Sequence, residues 1–139
     1  MRTRLFMLTA ALLLTGCQDT IVKPIDMDEN NVELTRDTDY IRFYADDMDN
    51  VHGTIEVDFN FSDTVAAVIH RNFVHHGQVR FNILDANGSQ VYASNAEWNL
   101  DLQTNLKARP GPWKLYIGFF GARGRVDLRI QKLGTPIEE

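Results

Sequence analysis

Histidines grouped in one stretch of the chain are the first candidates for chemistry, because imidazole is the commonest protein ligand for zinc and copper. They are His70, His75 and His76. A zinc site needs three or four ligands in a defined geometry. Adjacent residues of a strand point to opposite faces, so only one of His75 and His76 can join His70 unless the segment is a loop. We take His70 and His76 as candidate zinc ligands, against the alternative of a solvated polar loop before Gly77.

An acidic run offers a second candidate, since calcium prefers oxygen ligands. It contains Asp46, Asp47 and Asp49 and falls in a predicted loop between two strands. The run lacks the spaced glycine and glutamate of an EF-hand loop. These three carboxylates are therefore either calcium ligands in another geometry or the charges of an ordinary hairpin loop.

Catalytic groups are sparse. Neither Ser62, Ser89 nor Ser94 lies in a Gly-x-Ser-x-Gly setting, and the sequence has no phosphate-binding loop. Glu56 and Asp58 share one strand face about 7 Å apart, as paired carboxylates of glycosidases can, but so do carboxylates on any exposed strand. The sequence predicts a protein that is not an enzyme and needs no cofactor.

A set of basic and aromatic residues is the candidate binding surface. Lys114 and Tyr116 occupy outward positions of one predicted strand, and Arg125 and Arg129 occupy those of its partner. Tyrosine and arginine are enriched at interfaces. We expect the four side chains to share one solvent-exposed face that contacts sugars or an acidic partner. The alternative is an ordinary outer sheet face covered by long side chains.

The elements that must position these residues are strands, because apolar and polar residues alternate through most of the chain. The clearest alternation runs over residues 55–61, and similar sets begin at Trp98 and Trp113, which we expect in the core. The other predicted core residues are Ile55, Val57, Phe59, Val79, Phe81, Ile83, Leu115, Ile117, Val126, Leu128 and Ile130.

Turn signals recur about every ten residues. Asp85-Ala86-Asn87-Gly88 predicts a hairpin, and Gly121-Ala122-Arg123-Gly124 predicts another reversal. The segment 64–74 could be a short helix or a strand, and its length favours a strand. Seven to nine short strands of this kind are typical of an all-β fold, an antiparallel β-sandwich of jelly-roll or immunoglobulin-like type over residues 38–134.

Charge is unevenly distributed. Residues 17–63 carry 13 acidic and 3 basic side chains, whereas residues 64–139 carry 6 acidic and 9 basic ones. The halves either attract each other or present an acidic surface to a partner. An acidic chain of this kind is a poor match for nucleic acid.

The amino terminus has the three parts of an export signal. A basic head, Met1 to Arg4, precedes an apolar run that is too short to cross a bilayer. The run ends in Leu14-Thr15-Gly16-Cys17, which resembles the lipobox of bacterial lipoproteins. The resemblance implies a signal peptide at 1–16, cleavage before Cys17, and attachment of diacylglycerol and a fatty acid such as palmitate to Cys17.

The resemblance also bears on location. Gln18, rather than aspartate, follows the cysteine, which in lipoproteins of Gram-negative bacteria implies the outer membrane on either face. Cys17 is the only cysteine, so the exported part has no disulfide. Residues 17–37 are polar and acidic and predict a tether. Val32 and Leu34 could form a first edge strand, and 135–139 predicts a loose tail.

The stretch from Gly77 to Ile130 resembles the small jelly-roll-like domains appended to secreted bacterial peptidases. The shared features are Ile-Leu-Asp-Ala-Asn-Gly before a hairpin and a final pair of strands beginning at Gly111 and Gly124. The resemblance includes no catalytic motif and implies only the fold. We therefore expect a membrane-anchored envelope lipoprotein whose β-sandwich binds a protein or another envelope component. The alternative is a module that binds calcium, zinc or carbohydrate.

Overall fold

A computed structural model describes residues 23–24, 26 and 29–134 of the chain. The predicted signal peptide, Cys17 and the tail at 135–139 lie outside these residues. The described part is an all-β structure in which every neighbouring pair of strands is antiparallel except β1 and β3. Its strands are β1 Lys23–Pro24, β2 Glu33–Asp37, β3 Tyr40–Phe61, β4 Val65–Leu84, β5 Gln90–Lys107 and β6 Gly111–Lys132.

The strands form one sheet in the order β1-β3-β6-β4-β5, with β2 also paired to β3. β3 to β6 are 18 to 22 residues long, and each is interrupted near its middle by a shift in register. The irregular middles lie side by side and form a bend across the sheet. We call the half that contains residues 40–45, 65–74, 98–107 and 125–132 arm A, and the half that contains residues 53–61, 79–84, 90–96 and 111–120 arm B.

The two arms pack face to face as a sandwich. The ring of Phe43 in arm A lies 6.0 Å from that of Phe119 in arm B. His70 in arm A lies 4.9 Å from the ring of Phe81 in arm B. Apolar side chains of β3, β4 and β6 point inward, and β5 adds Ala96 and Leu106, so one continuous core fills the space between the arms.

Glycine permits the bend. Gly77 has φ +69°, and a Cβ there would lie 2.1 Å from the carbonyl oxygen of Gly121. At Gly124, with φ +126°, a Cβ would lie 2.0 Å from the carbonyl oxygen of Phe73. Side chains are excluded at both positions because neighbouring backbones meet where the sheet folds over.

Short connections join the strands. Residues 62–64 and 108–110 lead from one arm to the other at the open end, opposite the bend. The predicted hairpin between β4 and β5 is confirmed: Asp85 Oδ1 accepts hydrogen bonds from the backbone N–H groups of Asn87 and Ser89. The sequence 64–74 forms part of β4, as its length predicted.

The predicted number of strands is wrong for the described residues, which form six strands instead of the expected seven to nine. The acidic run at 46–50 is part of β3, and the expected reversal at 121–124 is part of β6. Glycine and polar residues at these positions mark bulges within long strands, not chain reversals. All predicted core residues are buried except Ile55, which is partly buried against the core, and Trp98, which is 73% exposed.

The predicted tether contains ordered pairing. β2 forms the anticipated edge strand against the first residues of β3, and β1 pairs with Val51 and His52 at the bend. Among the residues that the structure describes, no helix is long and apolar enough to cross a membrane.

Candidate functional site

His70, the first candidate ligand, lies in the core with none of its surface exposed. Its Nδ1 is 3.2 Å from Nδ2 of Asn72, and its Nε2 is 2.9 Å from the hydroxyl of Tyr92. Its ring also stacks on Tyr92 at 5.6 Å between centroids. Because Tyr92 belongs to arm B, this polar chain connects the two layers of the sandwich.

The hydrogen bonds define the tautomer of His70. Asn72 Oδ1 accepts from the backbone N–H of Asp127, so the Asn72 amide must direct its Nδ2 donor at His70. Nδ1 of His70 is therefore the acceptor, and Nε2 carries the proton and donates it to Tyr92. Burial lowers the pKa of His70 from 6.5 to about 4, so the ring is neutral near pH 7.

The structure does not bring the candidate metal ligands together. His70 is interior, whereas His76 is exposed at the bend. Asp46, Asp47 and Asp49 follow one another along β3, and Asp49 lies 3.1 Å from Nε of Arg123 in an ion pair without hydrogen-bond alignment. No group of three or more histidine, cysteine or acidic side chains that could hold a metal occurs in residues 23–24, 26 and 29–134.

The predicted basic surface is divided between the two arms. Lys114 and Tyr116 pair with Asp58 and Glu56 on the outer face of arm B, where Lys114 forms ion pairs with both carboxylates. Arg129 belongs to arm A and is only 6% exposed. The expectation of one solvent-exposed face is wrong, because the bend directs the outer faces of the arms in opposite directions.

Arg129 belongs instead to a cluster around Asp127. Arg42 donates two hydrogen bonds to the Asp127 carboxylate at 3.1 Å each, and Arg129 donates two more at 3.3 and 3.1 Å. Burial raises the pKa of Asp127, but the hydrogen bonds and charges of Arg42 and Arg129 outweigh it and hold that pKa below its usual value. Two guanidinium groups on one carboxylate leave the cluster with one net positive charge.

Next to this cluster, three strands line an open groove of about 320 Å³ on the outer face of arm A. Arg71 pairs with Asp101, and Phe73 pairs with both Asn99 and Arg125. Paired residues of neighbouring strands share a face, so these five side chains project together. We call them the arm A groove; Asn72 and Leu100 complete its lining.

The arm A groove combines an apolar surface with side chains whose polar ends are planar: guanidinium, carboxylate and amide groups. Phe73 is 48% exposed and offers a ring face. Arg71 and Arg125 can each donate paired hydrogen bonds to a carboxylate, while Asp101 and Asn99 can accept from hydroxyl groups. Two positive charges and one negative charge leave the groove with a net charge of +1, which favours an acidic or strongly polar ligand.

Trp98 lies close to this groove, at the bend. It has φ +66°, and the other non-glycine residues with positive φ are asparagine or aspartate, which tolerate that conformation. Together with His75, His76 and Gly77 it lines a second depression of about 230 Å³. A tryptophan that is both exposed and held in a costly backbone conformation indicates a surface with a role outside the core.

Sequence reasoning missed Arg71, Phe73, Asn99 and Asp101. Their outward positions follow from alternation along β4 and β5, but which positions are neighbours depends on the register of two strands. Arg125 was identified for the wrong surface. The only signal in the sequence was the aromatic Phe73 at an outward position beside polar neighbours.

No protein-family model and no curated protein matches the sequence. Several solved β-sandwiches match the fold, with low TM-scores and low sequence identity. TmCBM61 in complex with β-1,4-galactotriose has a TM-score of 0.39 and 14% identity and covers 66% of this chain and 66% of its own. A CBM4 structure has a TM-score of 0.40 and 6% identity, with 74% and 76% covered.

A third structure is the C-terminal CBM6 of LamC, a laminarinase from Zobellia galactanivorans. It has a TM-score of 0.35 and 15% identity and covers 74% of this chain and 90% of its own. The assignment of the described residues to an antiparallel β-sandwich rests on their own strand pairing and core.

Proposed function

We propose that this chain is a non-catalytic binding protein of the cell envelope, anchored by lipid on Cys17, and that the arm A groove binds an acidic saccharide chain. The observation that carries the proposal is the common orientation of Phe73, Arg71 and Arg125 on one outer face. The anchor itself is supported by the lipobox-like sequence, and Gln18 supports the outer membrane.

The chemistry of the groove suits a sugar that carries carboxylates. The electron-rich face of Phe73 attracts the weakly positive C–H groups on the apolar side of a pyranose ring. Arg71 and Arg125 would hold a carboxylate substituent through paired hydrogen bonds. Asn99 and Asp101 would orient the ring hydroxyl groups, so that specificity comes from a few convergent polar groups.

A zinc or calcium function receives less support. Both ring nitrogens of His70 have protein partners, and the Asp49 carboxylate faces Arg123. Among calcium, zinc and carbohydrate, the described side chains therefore favour carbohydrate as the ligand.

Co-sedimentation with purified peptidoglycan sacculi, whose glycan chains carry carboxylates on their peptide substituents, tests the groove. We expect the full lipoprotein in detergent to sediment with sacculi, and Phe73→Ala and Arg125→Ala each to weaken this by about tenfold or more, the equivalent of 1.4 kcal/mol. Lys114→Ala is the matched control, because it removes an exposed cation from the opposite outer face. Equal sedimentation of Phe73→Ala and wild type contradicts the assignment.

The anchor is tested separately by the mass of the amino-terminal peptide from membranes. Diacylglyceryl and acyl groups on Cys17 are the expected result. A mature peptide that begins elsewhere, or one without lipid, contradicts the anchor and leaves the groove assignment to the sedimentation experiment.

A further inference from the structure

The bend of the sheet carries exposed aromatic side chains on several strands. Trp98 on β5 is 73% exposed, and Phe120 on β6 is 48% exposed. Between them lie the exposed His75, His76 and Gly77 of β4. The rings are therefore distributed across the bend rather than gathered in one pocket.

The same bend receives the amino-terminal segment. β1 pairs Lys23 with Val51 and Pro24 with His52, and His52 pairs in turn with Phe120 on β6. The amino-terminal segment thus enters the described structure one strand away from Phe120. The open end of the sandwich, with residues 62–64 and 108–110, lies at the other extreme of the long strands.

The length of chain before β1 limits where the bend can be. Six peptide units separate Cys17 from Lys23. Even when fully extended, they span at most about 22 Å. A lipid on Cys17 would therefore keep Lys23, and with it the bend, close to the polar surface of the bilayer.

We propose that the bend docks on the membrane surface, with Trp98 and Phe120 in the interfacial region of the bilayer. The inference rests on the proposed lipid anchor at Cys17. Tryptophan is enriched at membrane–water interfaces because its ring is apolar while its N–H still needs a polar partner. Exposure of the Trp98 and Phe120 rings to water is unfavourable, and a bilayer surface that covers the rings removes this cost.

Charges around the bend shape this contact without dominating it. The Arg80 guanidinium lies 4.8 Å from the centre of the Phe120 ring, where it can also reach lipid phosphates. On the β3 side, Asp49 is paired with Arg123, while the exposed Asp46 and Asp47 add negative charge, so charge does not draw that side toward an anionic bilayer. Docking is therefore driven mainly by the rings, and we expect it to depend only weakly on salt.

Depth-dependent fluorescence quenching tests the docking. The lipidated protein is reconstituted into vesicles of phosphatidylethanolamine and phosphatidylglycerol that contain a lipid brominated near its headgroup. Trp113 is buried in the core and serves as a constant background. We expect the emission of Trp98, taken as the difference from Trp98→Phe, to fall at least about twofold, because interfacial tryptophans lie at the depth of the bromine atoms.

A matched reporter at the open end supplies the control. Leu133 is 52% exposed and follows the end of β6, so the double variant Trp98→Phe, Leu133→Trp carries an exposed tryptophan far from the bend. We expect that reporter to be quenched little. Equal quenching at both positions, or none at Trp98, overturns the docking and leaves the bend free for a protein partner.

The two proposals fail in different ways. An acylated protein whose Trp98 is not quenched overturns the docking alone and leaves the anchor intact. A protein that lacks the acyl mass on Cys17 overturns the anchor, and the docking with it.

Discussion

The environments of Trp113 and Trp98 differ although the two residues have the same place in the sequence pattern. Trp113 is fully buried, stacks on Phe61 at 4.6 Å, and donates its indole N–H to the carbonyl of Arg109 at 2.7 Å. Trp98 is 73% exposed and has a left-handed backbone. Each begins a run of alternating apolar residues, yet only one belongs to the core.

The difference comes from the position of each strand in the sheet. β6 is an interior strand between β3 and β4, and Trp113 packs against Phe59 and Phe61 with none of its surface exposed. β5 is an edge strand, and Trp98 lies at the bulge of β5, in the bend between the two arms. Alternation identifies the face of a strand, but it does not indicate whether another layer covers that face.

The largest effect is expected at Gly77, which allows the bend that exposes Trp98. Gly77→Ala places a Cβ 2.1 Å from a backbone oxygen, and we expect the free energy of unfolding to fall by more than about 4 kcal/mol, or the protein not to fold. Gly88→Ala is the control, since φ is similar at +75° but nothing lies within 4 Å. Denaturant unfolding that gives equal losses for both variants contradicts a steric role for Gly77.

Truncating the two tryptophans makes the comparison directly. Trp113→Ala should lower the free energy of unfolding by about 3 to 5 kcal/mol, because it leaves a cavity and removes a buried aromatic contact. Trp98→Ala should change it by less than about 0.5 kcal/mol, as for other exposed side chains. The check is chemical denaturation of both variants; a large loss for Trp98→Ala would mean that its ring supports the fold.

Acid should loosen the contact between the arms. The folded pKa of His70 is about 4 and its unfolded pKa is 6.5, so the unfolded state binds more protons between these values. Stability is therefore complete above pH 6.5 and falls as pH decreases toward 4, by about 3 kcal/mol from this residue. His70→Gln, compared with wild type at pH 7 and pH 4.5, should lose less stability on acidification; an unchanged pH dependence would exclude His70 as the cause.

A glycine at position 98 should have a small effect of the opposite sign. Trp98→Gly removes the cost of a left-handed conformation in a non-glycine residue, and we expect the protein to become about 1 kcal/mol more stable. Thermal unfolding of Trp98→Gly and of Asn50→Gly supplies the measurement, because Asn50 also has a positive φ of +55° but is a residue type that tolerates it. A gain at Asn50 equal to that at Trp98 would show that Trp98 carries no special strain.

The fold class could be predicted from the sequence because alternation and turn chemistry are local. The turn at Asp85, the strand nature of 64–74 and nearly all the core residues followed from residue type and spacing. The number of strands could not be predicted, since a glycine that allows a bulge and a glycine that reverses the chain give the same local pattern. Only the neighbouring backbones that approach Gly77 and Gly124 in the folded structure show that these two glycines belong to bulges and not to chain reversals.

The candidate site was less predictable because it depends on register and on the bend. Arg125 and Arg129 were placed beside Lys114 on the assumption that residues 121–124 reverse the chain into a second, paired strand. Instead β6 continues through these residues and bends there, so Lys114 lies in arm B and the two arginines lie in arm A. The partners of Phe73 come from strands distant in sequence, and no local pattern defines them. His70 was chosen as a ligand by residue type, and its burial could not be read from its neighbours.

The way the amino-terminal segment joins β3 has a mechanical consequence. Tension applied before Lys23 acts first on β1, which pairs with only two residues of β3. The next attachment is the hydrogen bond that the Asn30 side chain donates to the carbonyl of Asp47. β2 follows, with five residues paired to β3. Force would reach these three attachments one after another, and the number of paired residues is largest at the last of them, β2. We therefore expect the amino-terminal segment to detach in steps and to become longer with each step, while the sandwich stays folded.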